Sequence, residues 1–160
     1  MQTFDASSII YAWDNYPIRQ FPGLWEWMAG QITAKRLVMS GVAFDEVANK
    51  IPECAEWLRD CNIELFEVTN GIVQEALKIK RILGIDGDSY HPKGVGENDI
   101  FIVATASVYS VGLVSNEGRQ QTLPDNPAKS KIPIVCSLHE VAVPCINFIE
   151  FIKQSEVVFG

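Results

Sequence analysis

Residues 96–118 read GENDIFIVATASVYSVGLVSNEG, and this stretch decides the fold. Asn98 is suited to cap a helix, which leaves Asp99 in the first turn, where a carboxylate complements the helix dipole. Ile100, Val103, Ala104, Ser107, Val108 and Val111 then recur at helical spacing, as a packed face requires. Gly112 ends the helix on this reading, and Leu113, Val114 and Ser115 form a short buried strand that runs out to a second acid, Glu117. A helix feeding such a strand is the repeating unit of an α/β protein.

The flanking sequence repeats the pattern. Residues 3–5 (TFD) read as a strand and residues 6–13 as a helix capped by Ser7 or Ser8. The loop Phe21-Pro22-Gly23 opens a second helix whose Leu24, Trp25, Trp27, Met28 and Ile32 form a heavy aromatic face, better suited to core packing than to stacking on bases. Residues 36–40 (RLVMS) read as a buried strand followed by a helix bearing Asp45 and Glu46 early, and Pro52 starts another helix ending near Cys61. Residues 63–68 (IELFEV) alternate apolar and acidic side chains, the mark of a half-exposed edge strand. Thr69 or Asn70 caps the next helix, which runs to about Leu83. The Gly-, Asp- and Pro-rich run 84–96 is a long loop. Residues 132–136 (IPIVC) are expected as a fifth strand, and residues 145–153 as a closing strand or helix.

Strands alternating with helices predict a parallel sheet covered on both faces, with residues 1–160 as one domain. Nearly half of the 160 residues are hydrophobic, enough for a sizeable core. The net charge of −7 argues against indiscriminate binding to nucleic acid. No run of about 18 apolar residues is present, so no membrane helix is expected. The first residues lack the basic and apolar regions of a signal peptide, which points to the cytoplasm. Cys54 and Cys61, seven apart on one helix, would lie roughly 10 Å from each other, too far for a bridge. Neither they nor Cys136 and Cys145, with His91 and His139, form a metal-ligand spacing, so buried thiols are expected.

In parallel sheets, ligands bind beyond the carboxyl ends of the strands. Asp5, Glu46, Asp99 and Glu117 are all assigned to that rim. Each alone has a bland explanation, as a cap, a dipole partner or a solvated acid. Together they conflict, because two carboxylates about 4 Å apart repel by roughly 4 kcal/mol at an effective dielectric near 20. A hard divalent cation with oxygen ligands removes the conflict and suits phosphodiester cleavage.

Four segments carry a family resemblance: FDAS at 4–7, VAFDEV at 42–47, NDIFIVATA at 98–106 and LVSNE at 113–117. Together they resemble the PIN-domain ribonucleases, a superfamily that includes the VapC-like toxins of bacterial toxin–antitoxin pairs. The resemblance extends to a PIN-like subfamily sharing the FPGLWEW segment at 21–27 and IPIVC near the end, and it covers nearly the whole chain in order. It implies a three-layer PIN-like fold with a five-stranded parallel sheet ordered 3-2-1-4-5. It further implies an acidic site holding Mg²⁺ or Mn²⁺ and cleavage of RNA, with an antitoxin protein and a second copy of the chain as partners. Carried over by position, Asp5, Glu46 and Asp99 match the family's acids. Glu117 falls where the fourth acid is usually Asp or Asn, and Ser115 where Thr is frequent. Asp45 is an alternative to Glu46, pointing some 100° away on the same helix. Ser7, Ser115 and Asn116 are candidates to orient water or phosphate, and Arg119, Lys129 and Lys131 to steer RNA.

Two other readings stay open. One is a PIN-like binding or scaffold module that does not cut. The other is a phosphoacceptor signalling domain, which needs a Lys after its last strand; the segment after IPIVC, Ser137-Leu138-His139-Glu140, supplies none.

Overall fold

The computed structural model describes residues 1–160. Five parallel strands form one sheet in the order β3-β2-β1-β4-β5. They are β1 (Gln2–Phe4), β2 (Leu37–Ser40), β3 (Leu65–Phe66), β4 (Gly112–Val114) and β5 (Cys145–Ile146). Between β1 and β2 lie α1 (Ala6–Asn15) and α2 (Pro22–Thr33); between β2 and β3 lie α3 (Gly41–Lys50) and α4 (Pro52–Asp60). From β3 the chain returns through α5 (Asn70–Ile82) and α6 (Glu97–Tyr109) to β4, then through α7 (Ile132–Ser137) to β5, and closes with α8 (Phe148–Ser155). The fold class and strand order expected from the sequence are those observed.

The order of the strands follows from the register. Thr3 pairs with Val38 on one side and Leu113 on the other, so β1 is the central strand. Successive strands step outward from β1 to β3, and the chain then crosses back to place β4 against the free side of β1. That reversal is the topological switch point, and it falls between the carboxyl ends of β1 and β4.

Local chemistry sets the helix starts. Ser40 Oγ accepts from the Ala43 amide at α3, and Thr69 Oγ1 accepts from the Ile72 amide at α5. At α8, Asn147 and Glu150 form a reciprocal capping box. Three expected boundaries shift. Asp5, not Ser7 or Ser8, occupies the cap position of α1, and both serines fall in its first turn. Gly96, not Asn98, precedes α6, which puts Asp99 at the third helical position with its carboxylate turned back onto the Gly96 amide. α6 ends at Ser110 in a left-handed conformation (φ 53°), and Gly112 begins β4, where a Cβ would collide with the Gln2 side chain.

One element is corrected outright. Residues 132–136 are not the fifth strand but the body of α7. Pro133 lies in its first turn, where a missing N–H costs nothing; inside a sheet it would interrupt the ladder. A short apolar run is compatible with a strand or a buried helix turn, and the proline decides. The fifth strand is Cys145–Ile146, whose neighbours bond to β4 through Leu113 N to Pro144 O and Ser115 N to Ile146 O, both 2.8 Å. The expected edge strand at 63–68 pairs only over Leu65 and Phe66.

A single cluster of 36 buried apolar residues runs from Phe4 to Phe148. The aromatic face of α2 is part of it: Trp25 packs edge-on against Trp13 and Trp57, with ring centroids 5.5 and 4.8 Å away. Phe148 is fully buried and joins α8 to the sheet by contacts with Phe4, Tyr11 and Tyr16. All four cysteines are free thiols. No helix is long and apolar enough to cross a membrane. Phe148→Ala should cost about 3–5 kcal/mol of stability in denaturant unfolding, the usual range for a buried aromatic truncated to alanine.

Candidate active site

Asp5 directly follows the central strand, and its backbone amide still bonds to Val114 O across the sheet at 2.9 Å. Its side chain is therefore held at the switch point and is only 2 % exposed. One carboxylate oxygen, Oδ2, accepts from Ser7 Oγ at 2.5 Å and from Ser115 Oγ at 3.0 Å. The other oxygen, Oδ1, accepts no hydrogen bond from the protein. Both hydroxyls are themselves acceptors: the Asn116 amide donates to Ser7 Oγ at 2.9 Å, and the Glu117 amide donates to Ser115 Oγ at 3.2 Å. Each serine thus passes the polarity of a backbone N–H to one carboxylate oxygen.

Those bonds favour the ionised form, and burial opposes them. Burial wins: it pushes the Asp5 carboxyl up to about 6 from an ordinary 3.8, against the Ser7 and Ser115 hydroxyls and with a further push from the charges of Asp99 and Glu117. Asp99 stands at the start of α6 with Oδ2 bonded to the Gly96 amide at 3.0 Å. Burial raises its pKa, while that bond and the charges of Lys50 and Lys131 lower it. Glu46 is half-buried on α3 and lines the same cleft as Asn98. Its pKa is raised by burial first and by the Asp99 charge second. Asp45 is exposed, so of the two neighbours only Glu46 faces the site.

Asp5, Glu46, Asp99 and Glu117, drawn from four segments, therefore lie within electrostatic reach of one another. A shallow open cleft between α3 and α6 is lined by Glu46, Gly96, Glu97, Asn98 and Asp99. No three acids stand close enough to grip one ion together. The donor set nevertheless suits a hard divalent cation. It is all oxygen, Asp5 Oδ1 is unpartnered, and Mg²⁺ characteristically binds through one or two carboxylates while keeping several waters.

The remaining sequence candidates divide. Ser7 and Ser115 touch the site, but their protons are committed to Asp5. Asn116 turns its Oδ1 to the Phe148 amide at 2.9 Å and so holds the start of α8. Arg119 is ion-paired with Glu150 on α8. Lys131 lies near Asp99, whereas Lys129 has no charged partner. Two contributors escaped the sequence reading. Lys50 sits one turn after Glu46, a spacing that should have flagged it. Asn98, expected as a cap, instead lines the cleft beside Glu46.

The fold places the chain among known structures. It is similar to the crystal structure of VapBC2 from Rickettsia felis bound to a DNA fragment from its promoter, with a TM-score of 0.56 at 15 % identity over 91 % of this chain and 97 % of that one. It is also similar to a toxin–antitoxin complex from Klebsiella pneumoniae, with a TM-score of 0.48 at 14 % identity over 80 % of this chain and 94 % of that one. No curated protein matches it in sequence. The chain has a VapC-like PIN fold and, with residues 3–159 matched, belongs to the family described as domain of unknown function (DUF4411).

Proposed function

We propose that residues 1–160 act as one PIN-like domain, a Mg²⁺- or Mn²⁺-dependent ribonuclease that hydrolyses RNA phosphodiester bonds at Asp5, Glu46, Asp99 and Glu117. The observation that carries this reading is Asp5. A carboxylate at the switch point, buried, bound by hydroxyls on one oxygen and bare on the other, burdens the metal-free fold and is relieved by a cation. Similarity of fold to a VapBC structure supports a further proposal, that the chain is the toxin of a pair whose antitoxin covers this rim and that it self-associates.

In this mechanism Asp5 and Asp99 would hold the ion, with Glu46 and Glu117 as the further acids of the site. When bound, a divalent ion lowers the pKa of a water and stabilises the departing oxygen. Ser7 and Ser115 favour the ionised form of Asp5 and engage one oxygen only, which leaves the other unpartnered. The Gly96 amide does the same for Asp99.

The spacing of the acids favours a second reading, a binding module that does not cut, since no three of them converge. The phosphoacceptor reading weakens further: the corrected last strand is followed by Asn147 and Phe148, again with no lysine.

Cleavage of structured RNA in Mn²⁺ should fall at least 100-fold in the Asp5→Asn/Asp99→Asn double variant, roughly the loss expected when groups that orient a metal are removed. Equal residual cleavage by both proteins assigns the activity to a contaminant and leaves the binding module. In differential scanning, Mn²⁺ should raise the melting temperature of the wild type. Asp99→Asn should be more stable than wild type without metal and show no such gain. The pH dependence has a defined sign. Asp5 binds its proton more tightly folded than unfolded, so its ionisation weakens the fold. Metal-free protein should gain about 2 kcal/mol from Asp5 as pH falls from about 6 to about 4, with Asp99 and Glu46 acting in the same direction. Asp5→Asn should remove most of that gain in urea titrations across this range.

A further inference from the structure

The loop before α6 meets a short 3-10 turn, Pro127–Lys129, beside the acidic rim. The Val95 amide donates to Ser130 O at 2.9 Å, and Gly94 lies so close to residue 128 that a Cβ would collide with the Ala128 carbonyl. Gln120 then clamps the second segment from outside: its Nε2 donates to Lys129 O at 3.0 Å, and its Oε1 accepts from the Lys131 amide at 2.9 Å. A side-chain amide used in this way imitates a neighbouring strand and fixes the backbone of both lysines. The Lys131 stem passes Gly118, its Cδ 3.8 Å from where a Cβ would stand, and its charge is felt at Asp99. Lys93 projects from the other segment, two residues before the Val95 bond.

None of these three lysines makes an ion pair. In a chain of net charge −7, three cations gathered on a braced surface next to an acidic cleft suit an anionic partner. The acids themselves repel one. A polyanion engaged at the rim therefore needs a positive surface to carry the parts that flank the reacting phosphate.

We propose that Lys93, Lys129 and Lys131 form a preformed ledge that binds the RNA backbone beside the scissile phosphate, with Gln120 and Gly94 as its positioning residues. This rests on the ribonuclease reading and adds to it the surface that holds the substrate. Gln120 touches no substrate; it keeps two ammonium stems in register with the rim. Lys50, on the opposite lip of the cleft, is outside the ledge.

The test measures binding rather than cleavage. Asp5→Asn protein, with and without Lys93→Gln/Lys129→Gln/Lys131→Gln, is titrated in Mn²⁺ with a short fluorescent single-stranded RNA at several salt concentrations. Each phosphate contact contributes about −0.7 to the slope of log affinity against log salt, so loss of the ledge should make the slope shallower by about 2. Lys35→Gln, at the end of β2 opposite the rim, should leave it unchanged. Gln120→Ala should weaken binding while keeping the full slope available at low salt, since the charges remain. RNA bound by the triple variant with an unaltered slope overturns the ledge and leaves the nuclease reading standing. No RNA binding by the parent at any salt overturns both.

Discussion

The structure depends on the burial of one carboxylate between two strands that are distant in sequence. Ser7 lies two residues from Asp5, but Ser115 lies 110 away. Both can reach the same oxygen only if β4 sits beside β1 in register, with Leu113 opposite Thr3. The bonds continue outward. The Asn116 and Glu117 amides fix the serines, and the Asn116 side chain fixes Phe148, which packs on Phe4, the last residue of β1. Site and core are thus joined by one short path of hydrogen bonds and aromatic contact. Two hydroxyl bonds are worth a few kcal/mol to a charged acceptor, less than full dehydration of a carboxylate removes, which is why the group still resists ionisation.

Asp99 is held by different means. Its position is set by the Gly96 amide, and the path of residues 91–96 is set by Ala128 and Ser130. The rim is therefore half scaffold and half loop. Asp5 and Ser115 ride on strand ends that cannot move without opening the sheet. Asp99 rides on a helix start, Glu46 on the middle of α3, and Glu117 on a connection, all outside the sheet ladder. Such a division lets a rigid carboxylate define where a ligand sits, while the others close on it.

Much of this was legible from residue order. Alternating strand and helix signals, the apolar run of α6 and acids placed at strand ends were enough for the sheet and for the set of four acids. What misled was short: IPIVC has strand composition, and only the ladder requirement of Pro133 turns it to helix. Strand β5, two residues long, carries no periodicity to detect. Side-chain partnerships were the least visible. Ser7 and Ser115 resemble free hydroxyls in sequence because nothing local shows that their protons are spent on Asp5. Arg119 resembles a free cation until Glu150, 31 residues later, comes to lie beside it. Lys50 was detectable by its spacing from Glu46, and Lys129 and Lys131 were named from sequence, whereas Gln120, which reaches across to both, was not.

The burden on Asp5 comes first from burial and only then from the neighbouring charges of Asp99 and Glu117. Its backbone belongs to the sheet ladder, so it cannot turn out to water to escape either. The free energy withheld from the metal-free fold in this way is not lost. Anything that binds the ionised form recovers it as affinity, since the same proton equilibrium appears in both stability and binding. A weaker pair of hydroxyl bonds would make Asp5 harder to ionise at neutral pH, and a stronger pair would leave less for a cation to gain. Ser7 and Ser115 set that balance, and they set it on one oxygen only, which leaves the other facing the rim.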